Sequence, residues 1–204
     1  MAQVKIPFDI TTSIATDVKV RNATLGYPHL HTPDTKFGTP GEFKAALIVD
    51  GDQGRAIIAQ AEEALAKWVA AAQPFVKSEK AAGLSFSENE DGTITIKSKL
   101  KAEKSDGQGG TLPNKVLLVD SQAKPVKDAV RVGGGTRANV KITLWPWYSP
   151  ALGLGVQFRL RAVQILELKE FSGGYADDFE AVDDGYVATD GAPVDADPGG
   201  TGDF

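Results

Sequence analysis

The stretch from Arg137 to Trp147 reads RANVKITLWPW and alternates between apolar side chains and polar or aromatic ones. The apolar set is Ala138, Val140, Ile142 and Leu144. The other set is Arg137, Asn139, Lys141, Thr143, Trp145 and Trp147. Because successive side chains of a strand point to opposite faces, the stretch predicts one β-strand with an apolar inner face and a basic, aromatic outer face.

Exposed indoles in line with cationic side chains indicate a ligand that covers both. Trp145 and Trp147 share the predicted outer face with Arg137 and Lys141. A nucleic-acid strand offers bases that stack on flat rings and phosphates that neutralise cations, so we expect this face to bind single-stranded nucleic acid. For Trp147 the alternative is a core or interface indole. Trp145 either stacks on a base or packs against Pro146 and the adjoining loop.

Two more predicted strands place cations on outward positions. The segment from Thr93 to Lys101 alternates isoleucine and leucine with threonine and lysine. The segment from Gly155 to Leu168 alternates apolar residues with Gln157, Arg159 and Arg161, after which the apolar positions shift by one residue. The phase change predicts a bulge near Ala162. The expected phosphate contacts are Lys97, Lys99, Lys101, Arg137, Lys141, Arg159 and Arg161. The alternative for each is a solvated surface residue that discourages edge pairing.

Strands are also predicted at Asp17 to Arg21 and at Glu42 to Val49. Between them, Gly26 to Asp34 is predicted to be a loop that flanks the groove, because its prolines oppose regular pairing. Tyr27 in this loop and Phe37 after it are further candidates for base stacking.

One helix is predicted after the second of these strands. Asp52 is the expected N-cap, apolar residues then recur at helical spacing, and Pro74 ends the helix. Trp68 falls on the apolar stripe, so we place it in the core rather than in the binding site.

Many short strands, one helix and glycine-marked bends favour a small β-barrel over a sandwich. The glycines of Val130 to Gly135 predict a bend or bulge, because no Gly-Lys-Ser/Thr follows them as in a phosphate loop. We therefore predict an all-β dominated OB-fold, a five-stranded and partly open barrel with one main α-helix, which binds single strands across one face.

Charge divides the chain into two parts. All 22 Lys and Arg lie at or before Lys169, whereas ten of the 27 acidic residues lie after it. Residues 1–169 thus carry a formal charge of +5 although the whole chain carries −5. We predict an ssDNA-binding domain over 1–169 and an acidic, disordered tail over 170–204, whose aromatics and carboxylates compete with DNA for the groove.

Several functional classes find no support in the sequence. Zero cysteines exclude disulfides and thiolate chemistry and fit a reducing cytosol. No signal-peptide pattern occurs and no apolar run approaches the roughly 18 residues that span a bilayer, so no membrane association is expected. His29 and His31 form a His-x-His pair without an acid-base partner, and no nucleophile motif occurs, so we expect no enzyme, no cofactor and no metal site. The pair is interpreted as part of a surface loop, and a weak metal site is the alternative. The alternative function is an OB-like oligosaccharide- or protein-binding module, against which the basic body argues.

The chain resembles the single-stranded-DNA-binding replication proteins of T7-like bacteriophages. The resemblance rests on collinear segments along nearly the whole chain: Phe37-Gly38-Thr39-Pro40, Asp91-Gly92-Thr93, Val119-Asp120-Ser121, Val132 to Thr136, Leu144-Trp145-Pro146-Trp147, Gly185-Tyr186-Val187-Ala188 and Gly202-Asp203-Phe204. It implies an OB-fold, sequence-independent binding of single strands, and a role in phage replication, recombination and repair in the cytoplasm of the infected bacterial host.

The resemblance also implies roles for particular residues. The family aromatic that follows a Leu-x-Pro step and stacks on bases matches Trp147. A second family aromatic falls near Tyr148, which is therefore a further candidate for base stacking, although Tyr148-Ser149-Pro150 departs from the family pattern. The acidic tail that ends in Asp203 and Phe204 is implied to contact the phage DNA polymerase and the helicase-primase. A homodimer is left open.

Overall fold

The computed structural model describes residues 6–36, 38–76, 80–126 and 130–171. The helices are α1 (Phe8–Ile14) and α2 (Gly51–Ala72), and a 3-10 turn (Gln73–Phe75) follows α2. The strands are β1 (Thr16–Asp34), β2 (Glu42–Val49), β3 (Phe86–Glu88), β4 (Ile94–Lys101), β5 (Glu103–Ser105), β6 (Thr111–Pro113), β7 (Leu117–Val119), β8 (Arg137–Ser149) and β9 (Gly153–Glu167). The predicted disordered tail falls outside the described residues from position 172 onward, and so do Phe37, Asp203 and Phe204.

Burial along β8 follows the alternation of its sequence. The four apolar residues Ala138, Val140, Ile142 and Leu144 are each 0% exposed. Lys141 on the opposite face is exposed, and Trp145 and Trp147 are half-buried. β8 pairs antiparallel with β1 on one side and with β9 on the other. The predicted strand and its apolar inner face are confirmed.

Five of the described strands form a closed barrel. Their order is β4-β2-β1-β8-β9, and β9 pairs back to β4 in parallel through Lys99 and Arg159. The other four pairings are antiparallel. β3 pairs with β4 and β7 pairs with β9, so each adds one strand to the sheet. β5 and β6 form a separate hairpin. The predicted five-stranded OB barrel with one main helix is confirmed. The barrel was predicted to be partly open, and a single residue pair, Lys99 with Arg159, joins β4 to β9 among the described residues.

Helix α2 packs against β4, β8 and β9 and buries one face. Trp68 on that face is 1% exposed, so its predicted core position is confirmed. The predicted N-cap was wrong. Asp50 caps the helix, because its carboxylate accepts a hydrogen bond from the backbone N–H of Gln53 at 2.8 Å, whereas Asp52 already lies in the first turn.

The predicted loop from Gly26 to Asp34 was also wrong, because β1 continues through it. Its pairing with β2 resumes at His29 and again at Asp34, with a register shift before each. The shifts coincide with Pro28 and Pro33, which have no N–H to donate, so the strand accommodates each proline at an irregularity. A φ of +44° at Tyr27 belongs to the first of them.

Two other predicted irregularities are confirmed. Lys141 pairs with Ala162 while Ile142 pairs with Leu160, which leaves Arg161 as the extra residue of a bulge. The glycine run forms a bend in which the N–H of Gly135 donates to the carbonyl of Leu25 at 2.8 Å. Its φ of +83° is a conformation that suits glycine.

Within the described ranges, neither helix is long and apolar enough to cross a membrane. No group of three or more His, Cys, Asp and Glu side chains is placed to hold a metal ion, again within those ranges.

Candidate nucleic-acid interface

A groove of about 810 Å³ is lined by residues of β1, β2, β4, β8 and β9. Six of the predicted site residues lie along it: Tyr27, Lys97, Lys99, Lys101, Trp147 and Tyr148. β2 and β4 are the second and third strands of the barrel, and OB-folds bind oligonucleotides across the face of those strands. The groove is therefore placed where this fold accommodates a single strand.

Trp147 is held in the groove from two directions. Its backbone carbonyl accepts a 2.9 Å hydrogen bond from the indole N–H of Trp68, in the core beneath it. Its partner on β9 is Gly155, and a Cβ there would lie 2.8 Å from the Trp147 Nε1 and closer still to its ring carbons. The indole thus rests directly on the glycine backbone, which supports one side of the ring and leaves the other toward the groove.

Tyr27 and Tyr148, the other two predicted stacking residues that line the groove, differ in how much ring surface they expose. Tyr27 is 87% exposed at the β1 irregularity, so its ring is available to a ligand. Tyr148 is half-buried and packs against a small apolar cluster that contains Trp68 and Leu154. Of the two, Tyr27 presents more open ring surface to the groove.

The β4 lysines supply the positive charge of the groove. Lys97, Lys99 and Lys101 are all exposed on the outward face of β4, as predicted. Lys99 forms an ion pair with Glu42 at 3.1 Å, whereas the structure records no ion pair for Lys97 or Lys101 among the described residues. These two ammonium groups can meet phosphates without first leaving a carboxylate.

Sequence reasoning missed Lys44, which also lines the groove and pairs with Asp34. The signal was present, since Lys44 alternates with the buried residues of β2 just as the β4 lysines do on their strand. Gln157 was missed as well. It lines the groove and donates a 3.3 Å hydrogen bond to the carbonyl of Lys99.

Three of the predicted phosphate contacts lie away from the groove. Arg137 binds Glu167 at 2.8 Å and is ten residues from Trp147, or roughly 30 Å along the strand. Lys141 pairs with Asp17 at 2.7 Å. Arg161 lines a separate depression together with Lys104 and Lys115. The structure thus divides the predicted cations between the groove and other faces of the barrel, and the assignment of these three stays a prediction.

The Lys141–Asp17 pair changes the acidity of the carboxyl group. The Lys141 ammonium donates a hydrogen bond to Asp17, the Thr143 hydroxyl donates another at 2.7 Å, and together they lower the pKa of Asp17 below its ordinary value. The carboxylate of Asp17 is therefore ionised at neutral pH and lies against the ammonium of Lys141.

Trp145 and Arg159 lie beside the groove and contact each other. The Arg159 guanidinium carbon lies 4.4 Å from the centroid of the Trp145 ring, a cation–π arrangement. The ring of Phe8 from α1 approaches the same indole at a centroid distance of 6.2 Å and an angle of 48°. Burial lowers the pKa of Arg159, with a further contribution from the charge of Arg161. The guanidinium stays charged all the same.

Comparison with known proteins assigns a family to this fold and groove. Residues 23–168 match the model of the family described as single-stranded DNA-binding protein, bacteriophage T7. The single-stranded DNA-binding protein of enterobacteria phage T3 is 31% identical over 84% of this chain and 87% of its own length. That of Escherichia phage T7 is 36% identical over 52% of this chain and 47% of its own length.

Solved structures agree with these sequence matches. The crystal structure of gp2.5, a single-stranded DNA binding protein of bacteriophage T7, matches with a TM-score of 0.66 at 26% identity over 86% of this chain and all of that one. The protein of bacteriophage Enc34 in complex with ssDNA matches with a TM-score of 0.54 at 16% identity over 77% of this chain and 89% of that one, a likeness of fold. The family match covers more than half of the chain and the phage T3 relative most of it, so this protein belongs to the T7 family of phage single-stranded DNA-binding proteins.

Proposed function

We propose that the chain binds single-stranded DNA without sequence preference in the groove between β4 and the end of β8. The observation that carries the proposal is the convergence of Trp147 and Tyr27 with Lys97 and Lys101 along one groove. Family membership supports it, since the phage T3 and T7 relatives are named single-stranded DNA-binding proteins.

Base stacking and phosphate neutralisation both contribute to binding. Every base has a flat face, so stacking on Trp147 and Tyr27 tolerates any sequence and contributes about 1 to 3 kcal/mol per base. Lys97 and Lys101 neutralise phosphates directly. Lys99 does so after exchanging Glu42 for a phosphate, which makes it a weaker contributor.

The biological role in this proposal is phage DNA replication, recombination and repair in the cytoplasm of the infected bacterial host. The protein binds rather than catalyses. The acidic tail, ending in Asp203 and Phe204, contacts the phage DNA polymerase and helicase-primase and competes with DNA for the groove of its own chain or of a partner chain in a homodimer. The resemblance and the sign of the charge on each part of the chain support this role.

A titration with dT oligomers tests the groove. We expect Trp147→Ala to weaken affinity by more than about tenfold in fluorescence anisotropy, while its circular dichroism and melting profile match the parent protein. Trp147→Phe keeps a flat ring and should lose much less. Equal affinity of Trp147→Ala and the parent would remove this groove from the proposal.

Salt dependence and ligand choice provide the control. If roughly four phosphates are neutralised, log affinity falls against log salt with a slope of about −3. Glycan oligomers at the same concentrations should leave the indole fluorescence unchanged. A flat salt response, or quenching by glycans as strong as that by dT, would favour the oligosaccharide-binding alternative.

A further inference from the structure

We propose that Phe8, at the start of α1, is a second base-stacking residue beside the groove, with Trp145 positioning it and Arg159 contacting the adjoining phosphate. The proposal rests on the proposed binding of single-stranded DNA and extends it to a residue outside the barrel strands. Phe8, Trp145 and Arg159 are called the Phe8 platform below.

Phe8 is exposed although its helix is anchored. Its side chain is 71% exposed, and α1 buries none of its residues completely. The helix is held by Ile10 and Ile14, which pack against the apolar cluster that contains Trp68. Because these two residues fix the helix, the Phe8 ring is not needed in the core. It stands outside with most of its surface open to solvent.

Trp145 is already occupied by protein contacts. One face of its ring lies under the Arg159 guanidinium, 4.4 Å from the centroid, and the Phe8 ring leans on it at 48°. Offset and tilted ring pairs at this separation attract each other and restrict the orientation of the smaller ring. Of the two rings, the one that a base reaches without displacing another side chain is therefore Phe8, and Trp145 acts as its support.

Arg159 adds a cation suited to the backbone of the same nucleotide. The structure records no ion pair for it among the described residues, so its guanidinium is not committed to a carboxylate. A planar guanidinium can remain on an indole face and still present its N–H groups to a phosphate. Stacking on Trp145 fixes Arg159 in that orientation before any ligand arrives.

The platform is continuous with the groove. Trp145 and Trp147 are two residues apart on the same outward face of β8, or about 7 Å. The residue paired with Trp145 across the sheet is Gln157, which lines the groove. Arg159 is the residue that pairs with Lys99 where the barrel closes. A strand stacked on Trp147 therefore reaches Phe8 within a few nucleotides.

Oligomer length separates the two stacking sites. We would titrate the full chain with dT oligomers from about 4 to about 16 nucleotides, the range of OB-fold site sizes. Phe8→Ala is expected to bind the shortest oligomers like the parent and the longest about fivefold to tenfold more weakly, which is the loss of one stacked base. Phe8→Leu keeps the apolar bulk without a flat ring and should behave like Phe8→Ala. Phe8→Trp should restore binding.

Phe75→Ala is the matched control, because Phe75 is a partly exposed ring, at 38%, beside α2 and outside the groove. It should bind every length like the parent. Arg159→Gln should make the salt slope shallower by about 0.7, the contribution of one phosphate on a single strand. These two variants distinguish a local contact from a general loss of aromatic or charged surface.

The outcomes also separate this inference from the function on which it rests. If Trp147→Ala weakens binding but Phe8→Ala binds the longest oligomers like the parent, the platform is overturned and the groove stands. Parental binding by Phe8→Leu would overturn it too, since bulk rather than stacking would then be what matters. If the parent protein itself fails to bind dT at any length, both proposals fall together.

Discussion

The indole N–H of Trp68 donates a 2.9 Å hydrogen bond to the backbone carbonyl of Trp147. Trp68 belongs to α2 and is 1% exposed, whereas Trp147 belongs to the end of β8 and lines the groove. A buried residue of the helix thus fixes the backbone that carries the main candidate stacking ring. Through this bond the packing of the core and the geometry of the binding face depend on each other.

Trp68→Phe should weaken both stability and binding. The substitution removes the donor and leaves the Trp147 carbonyl without it, together with a small cavity, so we expect a loss of about 1 to 3 kcal/mol in the free energy of unfolding. Urea denaturation measures it, and dT affinity should fall as the strand end loosens. Ile58→Val, a core change on the same helix, is the control. It should cost stability without changing affinity, and the same pattern in Trp68→Phe would contradict the coupling.

The strands of the barrel were predictable because burial imposes a period of two on their sequences. β2 and β4 each bury every other residue, and β8 does so from Ala138 to Pro146 apart from Thr143, which is buried as well. The outward lysines of β4 were therefore assigned to the right face from the sequence. The bulge at Arg161 was predictable for the same reason, since an extra residue changes the phase of the pattern.

What escaped prediction depends on partners distant in sequence. Pro28 and Pro33 oppose pairing locally, yet β2 pairs with β1 on either side of them and extends the strand. Alternation also places a side chain on a face without saying where around the barrel that face points. Arg137 shares the outward face of β8 with Trp147, as predicted, but it lies at the other end of the strand and binds Glu167, so its phosphate contact stays a prediction. The Phe8–Trp145 contact had no sequence signal, since α1 is a helix of only seven residues.

Gly155→Ala should impair the groove as severely as a change in Trp147 itself. A Cβ at this position would overlap the Trp147 ring, so the indole must leave its place. We expect a loss of dT affinity of about tenfold, measured by anisotropy. Gly83→Ala is the control, because Gly83 lines the same groove and a Cβ there meets no atom within 4 Å. Equal affinities of the two variants would show that the position of the Trp147 ring does not depend on the absence of a side chain at Gly155.

Replacing Lys97 and Lys101 by glutamine should flatten the salt dependence of binding. Each lysine that neutralises a phosphate contributes about −0.7 to the slope of log affinity against log salt for a single strand. The double variant should therefore have a slope shallower by about 1.4. Lys67→Gln is the control, since Lys67 pairs with Glu63 on α2. An unchanged slope in the double variant would place the DNA backbone elsewhere.

Asp17→Asn should reveal a small stabilisation that depends on pH. The folded-state pKa of Asp17 lies below its ordinary value of 3.8 because Lys141 and Thr143 donate to the carboxylate. The lowered pKa stabilises the protein above pH 3.8, and the stabilisation is lost as pH falls through the folded-state value. Both partners are about half-exposed, so we expect no more than about 1 kcal/mol at neutral pH. Urea denaturation at neutral and strongly acidic pH measures it, and an equal difference between the two proteins at both would refute the assignment.

Phe204→Ala should spare DNA binding and weaken partner binding. In the proposed role the terminal aromatic beside Asp203 inserts into a basic, apolar pocket of the phage polymerase, whereas the tail keeps Tyr175, Phe179 and Tyr186 for competition with DNA. Capture of the polymerase by the immobilised protein measures the first effect, and dT anisotropy measures the second. Undiminished capture would remove Phe204 from the partner contact.

Ending the chain after Phe171 should strengthen binding to single-stranded DNA. The shortened protein loses nine acidic residues and no basic one, so its formal charge changes from −5 to +4. It also keeps Glu170, whose backbone pairs with that of Val132 in an antiparallel β-bridge, so this last backbone pairing of the described fold is retained. A change of net charge of this size strengthens the attraction between the protein and DNA wherever the DNA binds. Direct competition for the groove additionally requires the aromatic residues of the tail. A full-length variant with the nine acids changed to their amides separates the two, because it removes the charge and keeps the aromatics. Tighter binding by the truncated form than by the amide form supports direct competition, and equal binding by these two forms attributes the effect to charge alone. Weaker binding by the truncated form than by the full-length parent contradicts both explanations.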